Sequence, residues 1–186
     1  MLGFDVHSNF HCKGINIYII NRIAREKPDR VILAAHWGFY PIEDGGMKVP
    51  SYTVEQLRKV AEARLRYLPY TVEQLRKAGV KRIDVIGLVP EWKDGLPKNL
   101  YNFFKKNHRV PQRMNLGLDP RLWPYEQLTQ NFATQLGINY ISAIKVLCNE
   151  EGCLTRAGEN MDSLTQWDNG HLTTVGSEFL VSHFPN

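Results

Sequence analysis

The chain has 186 residues, with 23 Lys+Arg against 19 Asp+Glu and a formal net charge of +4. That length suits one domain and is short for two, and 43% hydrophobic with 23% charged residues excludes a disordered, collagenous or fibrous chain. The basic residues are scattered among acidic ones, which argues against nucleic acid as a partner; no run approaches the ~18 apolar residues that span a bilayer, and the opening MLGFDVHSNFHCKG has neither the basic start nor the apolar run of a signal peptide.

In chain order, Ile15, Ile19, Ile20 and Ile23 fall at helical spacing and predict a helix with one apolar face over Gly14–Arg25, stopped by Pro28. Val31–Ala35 (VILAA) is a short continuous apolar run and predicts a strand buried on both faces, as in parallel sheets. Then comes a repeat: Tyr52–Lys59 and Tyr70–Lys77 are both YTVEQLRK. Two copies with Pro69 between them do not make a solenoid, and the pair reads as a local duplication that lengthens one crossover helix. That helix stops at Lys77-Ala78-Gly79, and Ile83–Val89 (IDVIGLV) predicts a second strand. Tyr125–Leu136 predicts a helix closed by Gly137, Ile138–Ile144 a third strand, and Thr173–Phe184 a last helix capped by Thr173 or Thr174. This alternation is that of an α/β domain with right-handed crossovers.

Cys148 and Cys153 bracket the short polar loop CNEEGC, which can close as a disulfide in an oxidising compartment. Cys12 is then left over, either as a free thiol or with a partner on another segment. A metal alternative uses His7, His11 and Cys12 with Cys148 or Cys153 as a tetrahedral zinc set.

Ligands of open parallel sheets bind beyond the carboxyl ends of the strands. Those positions carry His36-Trp37-Gly38 after the first strand and Pro90-Glu91-Trp92 after the second, and the chain later reaches Trp167-Asp168-Asn169-Gly170-His171. Trp37, Trp92 and Trp167 are either core plugs or a rim on which a flat substrate such as a sugar ring stacks. Asp168 and His171 offer a carboxylate and an imidazole from one turn, the pair that a serine nucleophile needs as tautomer-fixing acid and general base.

The block D-x-x-H-L-T-x-x-G, here Asp168, His171, Leu172, Thr173 and Gly176, resembles the last block of the SGNH hydrolase superfamily. More closely, the chain resembles the SGNH domain fused behind the membrane-embedded acyltransferase-3 domain of bacterial O-antigen and polysaccharide O-acetylases. The likeness also covers Lys27-Pro28-Asp29 before VILAAHW, Gly79-Val80 before IDVIGLVPEW, Leu96-Pro97, and CNEEGC. It implies a three-layer α/β/α, flavodoxin-like fold with a parallel sheet, as one domain over residues 1–186 that is incomplete at its amino end and missing its first two strands. It further implies a Ser-His-Asp enzyme that passes an acyl group, usually acetyl, to a hydroxyl of a cell-surface carbohydrate, with Asp168 and His171 as two triad members and no cofactor or metal. The expected location is the periplasmic face of the inner membrane, with the acyltransferase-3 membrane domain as partner in cis or in trans.

Two departures from the family pattern stand out. No Gly-Asp-Ser nucleophile block occurs in the sequence, and Ser8 in Asp5-Val6-His7-Ser8 is its nearest imitation. The usual oxyanion-hole Asn is also missing where His36-Trp37-Gly38 stands. In the family's strand order VILAA is the third strand, so without the first it is an apolar sheet edge, and an isolated chain of this kind is expected to be poorly soluble or oligomeric. Alternatives are a catalytically degenerate glycan-binding module and a fragment of a free-standing esterase.

Overall fold

The computed structural model describes residues 12–35, 53–160 and 162–185. The described residues of 1–86 and 127–140 form one compact unit, and those of 87–126 and 141–186 form a second.

In the first unit, helix α1 (Cys12–Glu26) leads to strand β1 (Arg30–Leu33). The helix extends past its expected limits, and of the four isoleucines that predicted it Ile20 and Ile23 are half-buried while Ile15 and Ile19 are exposed. Strand β1 pairs in parallel with β2 (Arg82–Ile86), and the sheet order is β1-β2-β4, with β4 at Asn139–Ile141. Among the described residues β1 therefore has one strand neighbour. Ile32 is exposed on it, so the expected burial on both faces holds for β2, where Ile83, Asp84 and Val85 are all buried, and not for β1.

The buried charge in β2 is tied on both sides. Asp84 accepts from the Arg82 guanidinium at 3.1 Å and the Asn139 amide at 2.8 Å, and forms an ion pair with Arg30. Burial alone would raise this carboxyl; the donors from Asn139, Arg82 and Arg30 outweigh it and hold the group below its ordinary value.

The repeated octamer forms two helices and not one lengthened one: α2 (Val54–Leu65) and α3 (Leu68–Lys77). In the first copy Thr53 caps α2, accepting from the Gln56 N–H at 3.2 Å while the Gln56 side chain accepts from the Thr53 N–H at 2.8 Å, a capping box. In the second copy the matching Thr71 is buried inside α3 and donates to the Tyr67 carbonyl at 3.1 Å. Pro69 sits in the first turn of α3, where its missing N–H costs no intrahelical bond. Leu68, Thr71, Val72 and Leu75 then form the buried stripe at helical period.

The second unit holds α4 (Leu96–Asn107), β3 (Arg113–Met114), α6 (Ala143–Leu147), β5 (Cys148–Asn149), β6 (Gly152–Leu154) and α7 (Thr174–Ser182); α5 (Leu122–Gln135) begins in it. The expected third strand is cut short because Ser142 accepts from the Lys145 N–H at 3.1 Å and starts α6 where Ala143 and Ile144 had read as strand. Strands β3, β6 and β5 form a small antiparallel sheet. Cys148 and Cys153 face each other across its hairpin and are joined by a disulfide. Both cysteines are thereby removed from the proposed zinc set, whose His7 and His11 lie outside the described residues. Gly152 at φ +121 makes this hairpin possible: a Cβ there would stand 2.5 Å from the Met114 carbonyl carbon. Trp92, Leu96, Leu100, Met114 and Cys153 form the core of the unit.

Candidate active site

The site is built on the turn between Gln166 and Leu172, which pair as an antiparallel bridge and are closed by a Trp167 N–H bond to the His171 carbonyl at 3.2 Å. Within the turn, Asp168 Oδ1 accepts from the backbone N–H groups of Gly170 at 2.9 Å and His171 at 2.8 Å, the local arrangement that short acidic side chains favour. Its second oxygen, Oδ2, lies 2.7 Å from His171 Nδ1. Burial would raise the Asp168 carboxyl, but the His171 and Gly170 amides and the His171 ring hold it below its ordinary value. It therefore stays an acceptor, places the imidazole proton on Nδ1, and leaves Nε2 with its lone pair.

What holds the turn lies on both of its flanks. On one side, the Trp92 N–H donates to the Asn169 carbonyl at 2.8 Å and the Leu96 N–H to the Asp168 carbonyl at 3.0 Å. Gly95 is favoured where these strands of chain meet because its backbone stands at φ +81, a conformation that side-chain-bearing residues rarely adopt. Side chains repeat the link, with the Trp92 indole N–H donating to Gln166 Oε1 and Gln166 Nε2 donating to the Pro90 carbonyl at 2.7 Å. On the other side, Thr165 donates its hydroxyl to the Leu154 carbonyl at 2.7 Å. Thr173 accepts from the Gly176 N–H at 3.0 Å as the cap of α7, as its sequence position indicates.

The residues singled out in the sequence separate into distinct environments. Asp168 and His171 are brought together, and the His171 side chain is open to solvent at 60%. Trp167 is 61% exposed and stacks on the His171 ring with centroids 5.3 Å apart. Trp92 does not belong to a rim: it is 1% exposed, because its ring is the centre of the core cluster and its N–H is bound to Gln166, so neither face is available to a sugar. Trp37, the neighbouring His36 and Gly38, and Ser8 lie outside the described residues. Among the described residues no serine hydroxyl is bonded to the His171 ring. Sequence reasoning missed Gln166 and Gly95; the only cue was the Gly-Leu-Pro run opening α4 and a glutamine one residue before the tryptophan of the turn.

Comparison with known proteins identifies the family of the chain. Residues 2–186 match the family model described as SGNH domain (fused to AT3 domains). No curated protein of similar sequence is found. Among solved structures, the periplasmic domain of the Salmonella ser. Paratyphi A lipopolysaccharide acetyltransferase superposes with a TM-score of 0.74 at 33% identity, over 96% of this chain. The chain spans 62% of the length of that structure. The mixed α/β fold, the D-x-x-H turn that carries the Asp168–His171 pair and the near full-length match together make this chain a member of the family of SGNH domains fused to acyltransferase-3 membrane proteins.

Proposed function

We propose that this chain supplies the acid–base half of an SGNH-type O-acyltransferase site, which moves an acyl group, most simply acetyl, to a hydroxyl of a cell-surface polysaccharide. The observation that carries this is the Asp168–His171 contact, with Nδ1 engaged by the carboxylate and the ring edge open to solvent. In such a site His171 Nε2 takes the proton of a serine hydroxyl as its oxygen attacks the acyl donor. The same imidazolium returns the proton to the leaving group, and the cycle repeats with the sugar hydroxyl as the attacking oxygen. The serine of that triad is supplied by residues other than the described ones. The exposed face of Trp167 beside His171 gives a sugar ring an aromatic surface at the reacting edge. The Cys148–Cys153 disulfide fits an oxidising, periplasmic location, and the solved relative is itself a periplasmic domain. The acyltransferase-3 membrane domain is the natural acyl-supplying partner.

A serine-directed fluorophosphonate probe tests this in the intact membrane protein. Labelling that is lost in His171→Ala, together with loss of acyl ester from the surface polysaccharide, supports the enzyme. Absence of labelling, with glycan binding that depends on Trp167 and survives His171→Ala, marks a degenerate binding module instead.

A further inference from the structure

Helix α4 carries a face that the acid–base turn does not use. Over Leu96–Arg109 there are four cations, Lys98, Lys105, Lys106 and Arg109, and no acid, although Lys98 pairs with Asp94 just before the helix at 3.3 Å. This one segment accounts for the whole net charge of the chain, so the scatter of basic residues seen in the composition has a local exception. Two large side chains on the same helix, Tyr101 and Phe104, are 61% and 45% exposed. They border a groove of about 410 Å³ lined by Pro97, Leu100, Tyr101, Phe104, Val110 and Leu164, with no charged residue in its wall. Lys105 reaches back over the Tyr101 ring, its Nζ 5.6 Å from the centroid, so this cation borders the apolar surface.

An apolar groove bordered by a lysine on a net basic helix is complementary to a molecule with a hydrocarbon part and an anionic head, and a basic helix with aromatic anchors lies flat at a lipid interface. We propose that the α4 face of this chain docks on a membrane surface containing anionic phospholipid, with Tyr101 and Phe104 in the interfacial layer and Lys105 beside them on the headgroup phosphates. Membership of a family fused to membrane domains keeps such a surface within reach. The contact would set how the acid–base turn is presented to polysaccharide near the bilayer, and it is independent of whether that turn is catalytic.

Vesicle flotation with the full chain tests this, using equimolar phosphatidylcholine and phosphatidylglycerol against pure phosphatidylcholine. The chain should float with the anionic vesicles and not with the neutral ones, and added salt should weaken the binding. Lys105→Gln should lower partitioning about fivefold, the ratio equivalent to about 1 kcal/mol per cation at a membrane surface, whereas Lys106→Gln, on the opposite side of the helix from Phe104, should change it little. Tyr101→Ser with Phe104→Ser should lower it further while circular dichroism stays that of the parent. Equal binding to both vesicle types, no binding, or binding unchanged in all these variants would overturn the proposal. So would full displacement by inorganic phosphate or by a soluble polyanion such as dextran sulfate, which would point to a free anion or a soluble polymer as the ligand.

Discussion

Gly176 in the first turn of α7 packs directly on the Thr165 carbonyl, so closely that a Cβ at this position would collide with the backbone oxygen. This gives the final glycine of D-x-x-H-L-T-x-x-G a physical reason: the helix after the histidine lies against the residue that anchors the turn before the aspartate. Gly176→Ala is expected to push α7 off Thr165, at a cost of about 1–3 kcal/mol from overpacking, and to lengthen the Asp168–His171 contact. A thermal midpoint equal to the parent's would count against this.

Asp168→Asn keeps the shape of the turn while removing the charge that fixes the His171 tautomer. If the pair works as proposed, the intact enzyme should lose roughly 10⁴-fold in turnover with little change in acceptor binding. The chain alone should lose its downfield Nδ1–H proton resonance. A loss confined to KM would place the residue in binding.

Three aspartates held low by their donors, Asp84, Asp119 and Asp168, fix the direction of the acid response. Each binds fewer protons in the folded chain than in the unfolded one. Its contribution is therefore complete above the unfolded carboxyl value of about 4, and is lost as pH falls through the lower folded value. Stability should fall on acidification below about pH 5, and Asp84→Asn should flatten that fall in a pH series of urea melts. An unaltered slope would show that the Asp84 cluster does not drive it.

Breaking the Cys148–Cys153 bond frees a loop of only a few residues, so the loop-entropy cost is about 2 kcal/mol. Cys148→Ser should lower the unfolding free energy from urea melts by that amount and leave the Asp168–His171 turn in place, since the Trp92, Leu96 and Thr173 bonds hold it besides the Thr165 link to β6. Histidine resonances unchanged below the new midpoint would agree; their early loss would tie the hairpin to the site.

Removing the indole N–H in Trp92→Phe leaves Gln166 Oε1 without its donor inside the core, costing about 1–3 kcal/mol. Because Trp92 is buried, this change should leave the affinity for a soluble glycan as it was, whereas Trp167→Ala should lower it. Glycan titrations of the two variants decide which tryptophan meets the ligand.

Helix periods and cap residues placed α1, α5 and α7 within a few positions, because periodic apolar residues, Gly137 and Thr173 act locally. The acid–base pair was legible for the same reason, as both groups and their turn lie within four residues. What escaped depends on contacts between distant parts of the chain. Trp92 reads as a rim residue until the Gln166 amide, 74 positions away, shows where its N–H goes. Ser142 reads as strand until its oxygen is seen to accept from Lys145. The two copies of YTVEQLRK differ in where the helix starts: in the first the extended Thr53 is itself the cap, while Leu68 and Pro69 have already begun the turn ahead of the second.

The tie between Asp84 and its donors also acts as a check on strand alignment. Val31 and Leu33 flank Ile32, the residue opposite Asp84 in β1. Sliding β1 by one position would turn Arg30 to the opposite face of the sheet, leaving the carboxylate buried with one guanidinium fewer, a loss of about 2–3 kcal/mol after allowing for the partly exposed arginines. Misaligned pairings of two short apolar strands, which hydrophobic contact alone distinguishes poorly, are thus penalised by a single charge, and the correct sheet is selected as it forms.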